Sequence, residues 1–377
     1  MTVKNQHYVP RFYLKGFTPI PKQIGMYNFK STKKNYIPRS NLYNQCCSEY
    51  FYDKDNTVEN ALALTESKIA KLFSSIIEHE SLNHLSTDDL SMLYFSMALQ
   101  HTRTQAAVDL VTDLIQGIMK VIEPDEDQDV LVENAISLIM RQGIMSYPLF
   151  TDLKVKLLVN KTQCKFITSD HPVSFSNPFL EGKAAGGKTG TQQKGLVILY
   201  PVNSELSLCF YDSDVYHLGK NNEDLINVNS EVDILEHNKA IALTARDNFY
   251  FEPNYSKVEI EKIAKYRVSN VKVYSSMRKQ KIDDGELLIT SLNNQTIDFC
   301  LPGQLKVKKN KRKEFQKVIK RQHSMAVYMR NPELLDEMEN FNKLVNQGKY
   351  SVSDFLIYLS DYGLAPKFKN LVAFRKI

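Results

Sequence analysis

The chain has 377 residues, 43% of them hydrophobic and 24% charged, which excludes a disordered, collagenous or coiled-coil rod and leaves room for roughly two domains of about 150 residues. No stretch reaches the ~18–20 apolar residues of a spanning helix, the opening Met1-Thr2-Val3-Lys4-Asn5-Gln6-His7 lacks an apolar secretory core, and five cysteines with only Cys46 and Cys47 close together suit neither a disulfide framework nor a metal knuckle. A soluble protein of the reducing cytoplasm, without membrane association, is the expectation; the net charge of +5 is local, because residues 306–321 alone carry +8 and the remainder sums to −3.

Taken in chain order, residues 7–17 (HYVPRFYLKGF) predict a short helix, with Pro10 suited to a first helical position and Gly16 to a stop. Short strands are expected at 23–29 and 35–37, followed by an aromatic, strand-like patch of Tyr43, Tyr50, Phe51 and Tyr52. Apolar residues at helical spacing predict a helix over 58–78. A second is expected from Leu90 to about Ile122 behind the capping-box sequence Ser86-Thr87-Asp88-Asp89, and a third over 130–145. The pattern then turns to strands. Residues 153–159 and 164–168 read as one hairpin, and 196–200 with 205–211 as another; the polar segment 181–195 between them reads as a mobile loop. Helix returns at 230–247, and from Pro253 onward short elements mix with the basic stretch and a helix near 332–345.

The expected class is therefore α+β: an N-terminal short helix and strands, a helical bundle over roughly 57–146, mostly antiparallel hairpins over 152–211 and a helix at 230–247. A basic, mixed α/β region follows as a second unit over 251–377.

Four features carry candidate chemistry. Gly182-Lys183-Ala184-Ala185-Gly186-Gly187-Lys188-Thr189 matches G-x-x-x-x-G-K-T by letter, but no strand precedes it and no helix follows, so it reads as a polar loop and not a phosphate cradle. On the second helix the apolar stripe Leu90, Leu93, Met97 continues onto Gln100 and Thr104, with Arg103 beside them. A buried guanidinium there must meet carboxylates, carbonyls or a ligand phosphate, so the turn is either an internal polar lock or a ligand-facing site. Thr168-Ser169-Asp170-His171-Pro172 ends a strand, and Asp170 is either a reactive or metal-holding carboxylate or the anchor of a local backbone turn. Finally, Lys306, Lys308, Lys309, Lys311, Arg312 and Lys313 form a cluster that suits a nucleic-acid backbone or, equally, a solvated face.

Asn5-x-His7-Tyr8-Val9-Pro10-x-x-Tyr13-Leu14-x-x-Phe17, together with Gln100-x-x-Arg103-Thr104 and Thr168-Ser169-Asp170-His171-Pro172-Val173, resembles an uncharacterised microbial family named only as a domain of unknown function and marked by an H-Y-V-P element. Glu66 and Asn238 extend the likeness, which spans roughly residues 5–250. The family brings no activity with it. It sharpens the site and not the reaction.

Convergence of these segments would give a pocket for a phosphate-bearing ligand. Arg11 and Arg103 would clamp oxyanions, with Gln100, Thr104, Tyr8 and Asn238 orienting the ligand; Asp170 and His7 would act as base and acid, or hold Mg²⁺ or Mn²⁺. The expected function is a phosphodiester- or nucleotide-directed hydrolase, nuclease-like, of the kind used in toxin or phage-defence systems. The alternative is a non-catalytic nucleic-acid or nucleotide binding module.

Overall fold

The computed structural model describes residues 3–33, 35–122, 135–180, 189–270, 274–282, 285–293, 304–311, 313, 329–364 and 367–368. Helices and mostly antiparallel sheets alternate, an α+β fold whose one parallel strand pair among the described residues is named below.

The N-terminus departs from the single short helix expected there. Strand β1 (Asn5–His7) pairs antiparallel with β4 (Cys47–Glu49), and helix α1 covers only Arg11–Lys15. Proline is the cause: Pro10 sits extended at the cap (φ −61°, ψ 144°), and the residue before a proline is driven out of the helical region. Strands β2 (Gln23–Asn28) and β3 (Tyr36–Asn41) follow, β3 being longer than expected and tolerating Pro38 because it is a sheet edge. The aromatic patch is not a strand: Tyr43 lies in a 3-10 turn (Leu42–Asn44), and residues 50–52 form a turn after β4.

Helices α2 (Thr57–His79) and α3 (Thr87–Thr102) form as their patterns require, α3 opening with the Ser86/Asp89 capping box. Every α3 residue from Leu90 to Gln100 except Met92 is buried, as befits a helix packed on all sides. The expected 33-residue helix breaks at Arg103–Thr104 into α3 and α4 (Gln105–Ile122). Side chains explain the break. Arg103 turns inward to polar partners, while the Thr104 hydroxyl bonds His171 Nδ1 at 2.6 Å and the Ala107 N–H at 3.4 Å, capping the next helix. Helix α5 (Ala135–Met145) packs against α3, with Gly143 fitted against Thr102.

The first expected hairpin does not form. Strand β5 (Lys154–Asn160) joins a five-stranded sheet in the order β11 (Leu225–Val228), β5, β9 (Leu206–Tyr211), β8 (Val197–Pro201), β7 (Ser174–Ser176), with β11 parallel to β5 and β8–β9 the hairpin expected from sequence. Strand β6 (Thr168–Ser169) instead enters a second sheet, β3-β2-β12-β6, beside β12 (Asn248–Phe251). Both faces of β5 are covered, and every one of its residues but Lys154 is buried, Lys156 included, so the turn at 160–162 could not specify its partner. One face, with Leu157, Val159, Leu208, Phe210 and Tyr200, packs on α1 to α3; the other, with Leu158, Cys209 and Tyr211, packs under α6 (Glu231–Thr244) and α7 (Lys257–Asn270).

Residues 190–195 are not a free loop: Gln192 is buried and donates to the Leu149 carbonyl at 2.9 Å, and its own carbonyl takes the Arg330 N–H at 2.7 Å. The G-x-x-x-x-G-K-T match lies outside the described residues except Thr189. Toward the C-terminus come β10 (Tyr216–Leu218), which pairs with β15 (Leu305–Val307); a hairpin of β13 (Tyr274–Ile282) and β14 (Gly285–Asn293); α8 (Pro332–Asn346); and α9 (Phe355–Asp361). No described helix is long and apolar enough to cross a membrane.

Candidate active site

The strand period of two puts Asn5 and His7 on one face of β1, with Val3 just before it, and the helical spacing of Glu59, Ala63, Glu66, Ser67 and Ala70 puts those five on one face of α2. Between these faces, with Arg11 and Phe12 of α1 at one side, opens a cleft of about 490 Å³. Arg11 Nε donates to His7 Nε2 at 3.1 Å, and its guanidinium lies over the Tyr43 ring, 5.1 Å from the centroid. Its two terminal nitrogens have no protein partner among the described residues. His7 Nε2 also lies 3.1 Å from the Tyr43 carbonyl, so it accepts from Arg11 in the Nδ1–H tautomer and donates to Tyr43 in the other. Burial lowers the His7 pKa, the backbone contacts to Tyr43 and Asn5 opposing it and the charges of Arg11 and Arg103 acting with it.

Across the cleft, the half-buried Glu59 carboxyl is held above its ordinary range, first by burial and then by the neighbouring Glu66 charge; Arg103 and Arg11 pull it the other way. Glu66 is fixed from behind. Its Oε1 accepts from Arg103 at 2.7 Å.

The three sequence elements do converge, but most of their polar atoms are engaged with each other. Arg103, 1% exposed, donates to Glu66, to the Tyr52 hydroxyl at 2.9 Å and to the His7 carbonyl at 2.8 Å. Gln100 donates to the Tyr8 carbonyl at 3.1 Å, and Tyr13 meets Thr168 at 2.9 Å. These bonds staple the N-terminal strand and turn onto α3 and β6. Arg103 thus braces Glu66 and is no second oxyanion clamp, and Tyr8 packs on Phe51 at 5.1 Å outside the cleft lining.

Asp170 is also outside that lining. Its oxygens accept the backbone N–H groups of Arg246, Asp247 and Asn248 at 2.7, 2.7 and 2.8 Å, so it ties the α6–β12 connection to β6; burial nevertheless pushes its pKa up to about 6. Of the two readings open at the sequence level, backbone anchoring is the geometry observed. Asn238 is wholly buried and pairs with the backbone of Ile167 and Lys165 at 3.1 and 2.8 Å, a strand-like contact made by a side chain.

The basic cluster divides. Lys308 donates to the Ser213 carbonyl at 2.8 Å and Lys311 pairs with Asp214 at 3.0 Å, whereas Lys306, Lys309 and Lys313 are exposed. Arg312 lies outside the described residues. Among the described residues no three His, Cys, Asp or Glu side chains are grouped to hold a metal ion.

Glu59 and Ser67 line the site without having been singled out from sequence, and Tyr43, which supports Arg11, was expected only as part of an aromatic strand. The signal was available for α2: two glutamates seven residues apart, separated by the small Ala63 at helical spacing, make a polar stripe that cannot be core.

The description Protein of unknown function (DUF4238) belongs to the family model that matches residues 5–254. No curated protein and no solved structure matches the chain.

Proposed function

The chain belongs to the family described as Protein of unknown function (DUF4238), and on that footing we propose that it is a nucleotide-directed hydrolase whose working site is the cleft between β1, α1 and α2. The observation that carries this reading is Arg11. Its Nε is held by His7 and its plane by Tyr43, while both terminal nitrogens have no partner among the described residues, so part of the cost of ordering a phosphate clamp is met before a ligand arrives. Opposite the clamp stand two carboxylates in different environments: Glu59, raised toward its protonated form, and Glu66, held by a cation. Such a pair divides naturally into an acid and a base.

The test is turnover of labelled DNA, RNA and mononucleotides by purified protein, in chelator and with Mg²⁺ or Mn²⁺, beside Arg11→Ala and Glu59→Gln. Activity lost by at least about 10²-fold in both variants, at unchanged melting temperature, supports the reading. Activity that survives both substitutions rejects it.

A second reading, nucleic-acid binding without cleavage, rests on the exposed Lys306, Lys309 and Lys313. Reversing these three charges is expected to weaken RNA or DNA binding and to flatten its salt dependence; unchanged affinity removes this role.

A further inference from the structure

The charges facing the cleft bear on which bond of a nucleotide is broken. Phosphoryl transfer builds negative charge on three equatorial oxygens and is served by clustered cations. Glycosidic cleavage builds positive charge on the sugar and is served by carboxylates, one donating a proton to the leaving group and one activating water. Among the described residues lining this cleft, one guanidinium with unpartnered terminal nitrogens faces two carboxylates, since Arg103 is already bonded to Glu66, Tyr52 and the His7 carbonyl. A phosphorane set between Glu59 and Glu66 would be repelled from both. A ribosyl cation would be attracted to both, provided the phosphate is tethered elsewhere.

Resting on the hydrolase reading, we infer that the reaction is hydrolysis of the N-glycosidic bond of a nucleoside 5′-phosphate, with Arg11 on the phosphate, Glu59 as general acid and Glu66 as general base. The C1′–N bond breaks with its electron pair going to the base, which takes the Glu59 proton. Water adds to C1′ and gives up a proton to Glu66, and solvent exchange returns a proton to Glu59. The products are ribose 5-phosphate and the free base. Seven residues of helix separate the two glutamates by a rise of about 10 Å, which leaves room for a water between the carboxyl groups. Glu66 Oε1 is the oxygen bonded to Arg103, and the side chain keeps a quarter of its surface exposed toward that space. Phe12 gives the cleft an aromatic wall against which a base can lie, its other side braced edge-on by Phe73 at 6.3 Å.

The experiment incubates the full chain with AMP, GMP, CMP, UMP, nicotinamide mononucleotide and adenosine, and separates the products by chromatography. Free base with ribose 5-phosphate is expected, along with at least about tenfold poorer use of adenosine, which lacks the phosphate for Arg11. Nicotinamide leaves as a neutral group without protonation, so Glu59→Gln should lower AMP turnover by about 10²-fold or more but nicotinamide mononucleotide turnover by less than about tenfold. Glu66→Gln should lower both. Phosphate, nucleosides or shortened oligonucleotides without free base overturn the inference and leave the hydrolase reading standing. No turnover of any nucleotide or polynucleotide overturns both.

Discussion

At the scale of single residues, the polar groups in and around the cleft fall into two kinds. Gln100, Arg103, Asp170 and Asn238 bond backbone groups of other segments, and Arg11 with Glu59 face the cleft. Asp170 offers the sharpest test of the first kind, because three N–H groups point at its two oxygens. Asp170→Asn brings an NH₂ against one of those donors and is expected to lower unfolding free energy by about 2–4 kcal/mol in urea titrations; a change below about 0.5 kcal/mol would show the anchoring to be dispensable. The burial of Gln100, Arg103 and Thr104 was legible in the sequence, since the apolar stripe of α3 runs straight into them. Their partners were not, because a helix's own spacing says nothing about which backbone carbonyls lie opposite. Asp170 was ambiguous for the same reason: carboxylates that anchor loops and carboxylates that move protons occupy the same strand ends.

At the scale of elements, periodicity located α2, α3, α6 and α8 and the β8–β9 hairpin, each of which carries its signal within one contiguous segment. What failed was partnership and interruption. The run 154–160 pairs with β9 and β11 and not with its neighbour in sequence, and Thr104 breaks a helix by bonding His171, 67 residues away. The seat of α5 on α3 gives a test at this level. A Cβ on Gly143 would stand 2.1 Å from Thr102 Cγ2, so Gly143→Ala is expected to push the helices apart and cost about 1–3 kcal/mol, read as a lower melting temperature; an unchanged melting temperature would mean that the contact relaxes freely.

For the whole molecule, the buried titratable groups set the response to acid. Burial lowers His101 to about 4 and His237 to about 3, from an ordinary 6.5, so between those values the unfolded chain binds protons that the folded one refuses. Stability from these two histidines is complete above pH 6.5 and is lost as pH falls below it. Asp170, raised from 3.8 to about 6, acts in the opposite sense, because the folded form takes up its proton first. His171 and His7 shift in the same direction as these two and Glu59, Asp152 and Asp233 in the direction of Asp170; with the histidines dominant, urea unfolding at pH 5 is expected to give lower stability than at pH 7.5, by on the order of a few kcal/mol. Equal stability at the two values would contradict the burial of these side chains.

The same molecule-wide view shows the cleft to be built as a unit. β1 is stapled to α3 through Gln100 and Arg103, Arg103 also braces Glu66 on α2, and Gln6 accepts the Tyr52 N–H at 2.6 Å just before that helix. The walls bearing Arg11 and Glu59 are therefore positioned by one buried network. Isothermal titration of ribose 5-phosphate, which carries the phosphate and cannot turn over, into the wild-type protein and Arg11→Ala reports on this directly. Saturable binding that weakens at least about tenfold in the variant, with melting temperature preserved, is the expected result. Absent binding, or equal affinity in the two proteins, would contradict a phosphate clamp built on Arg11.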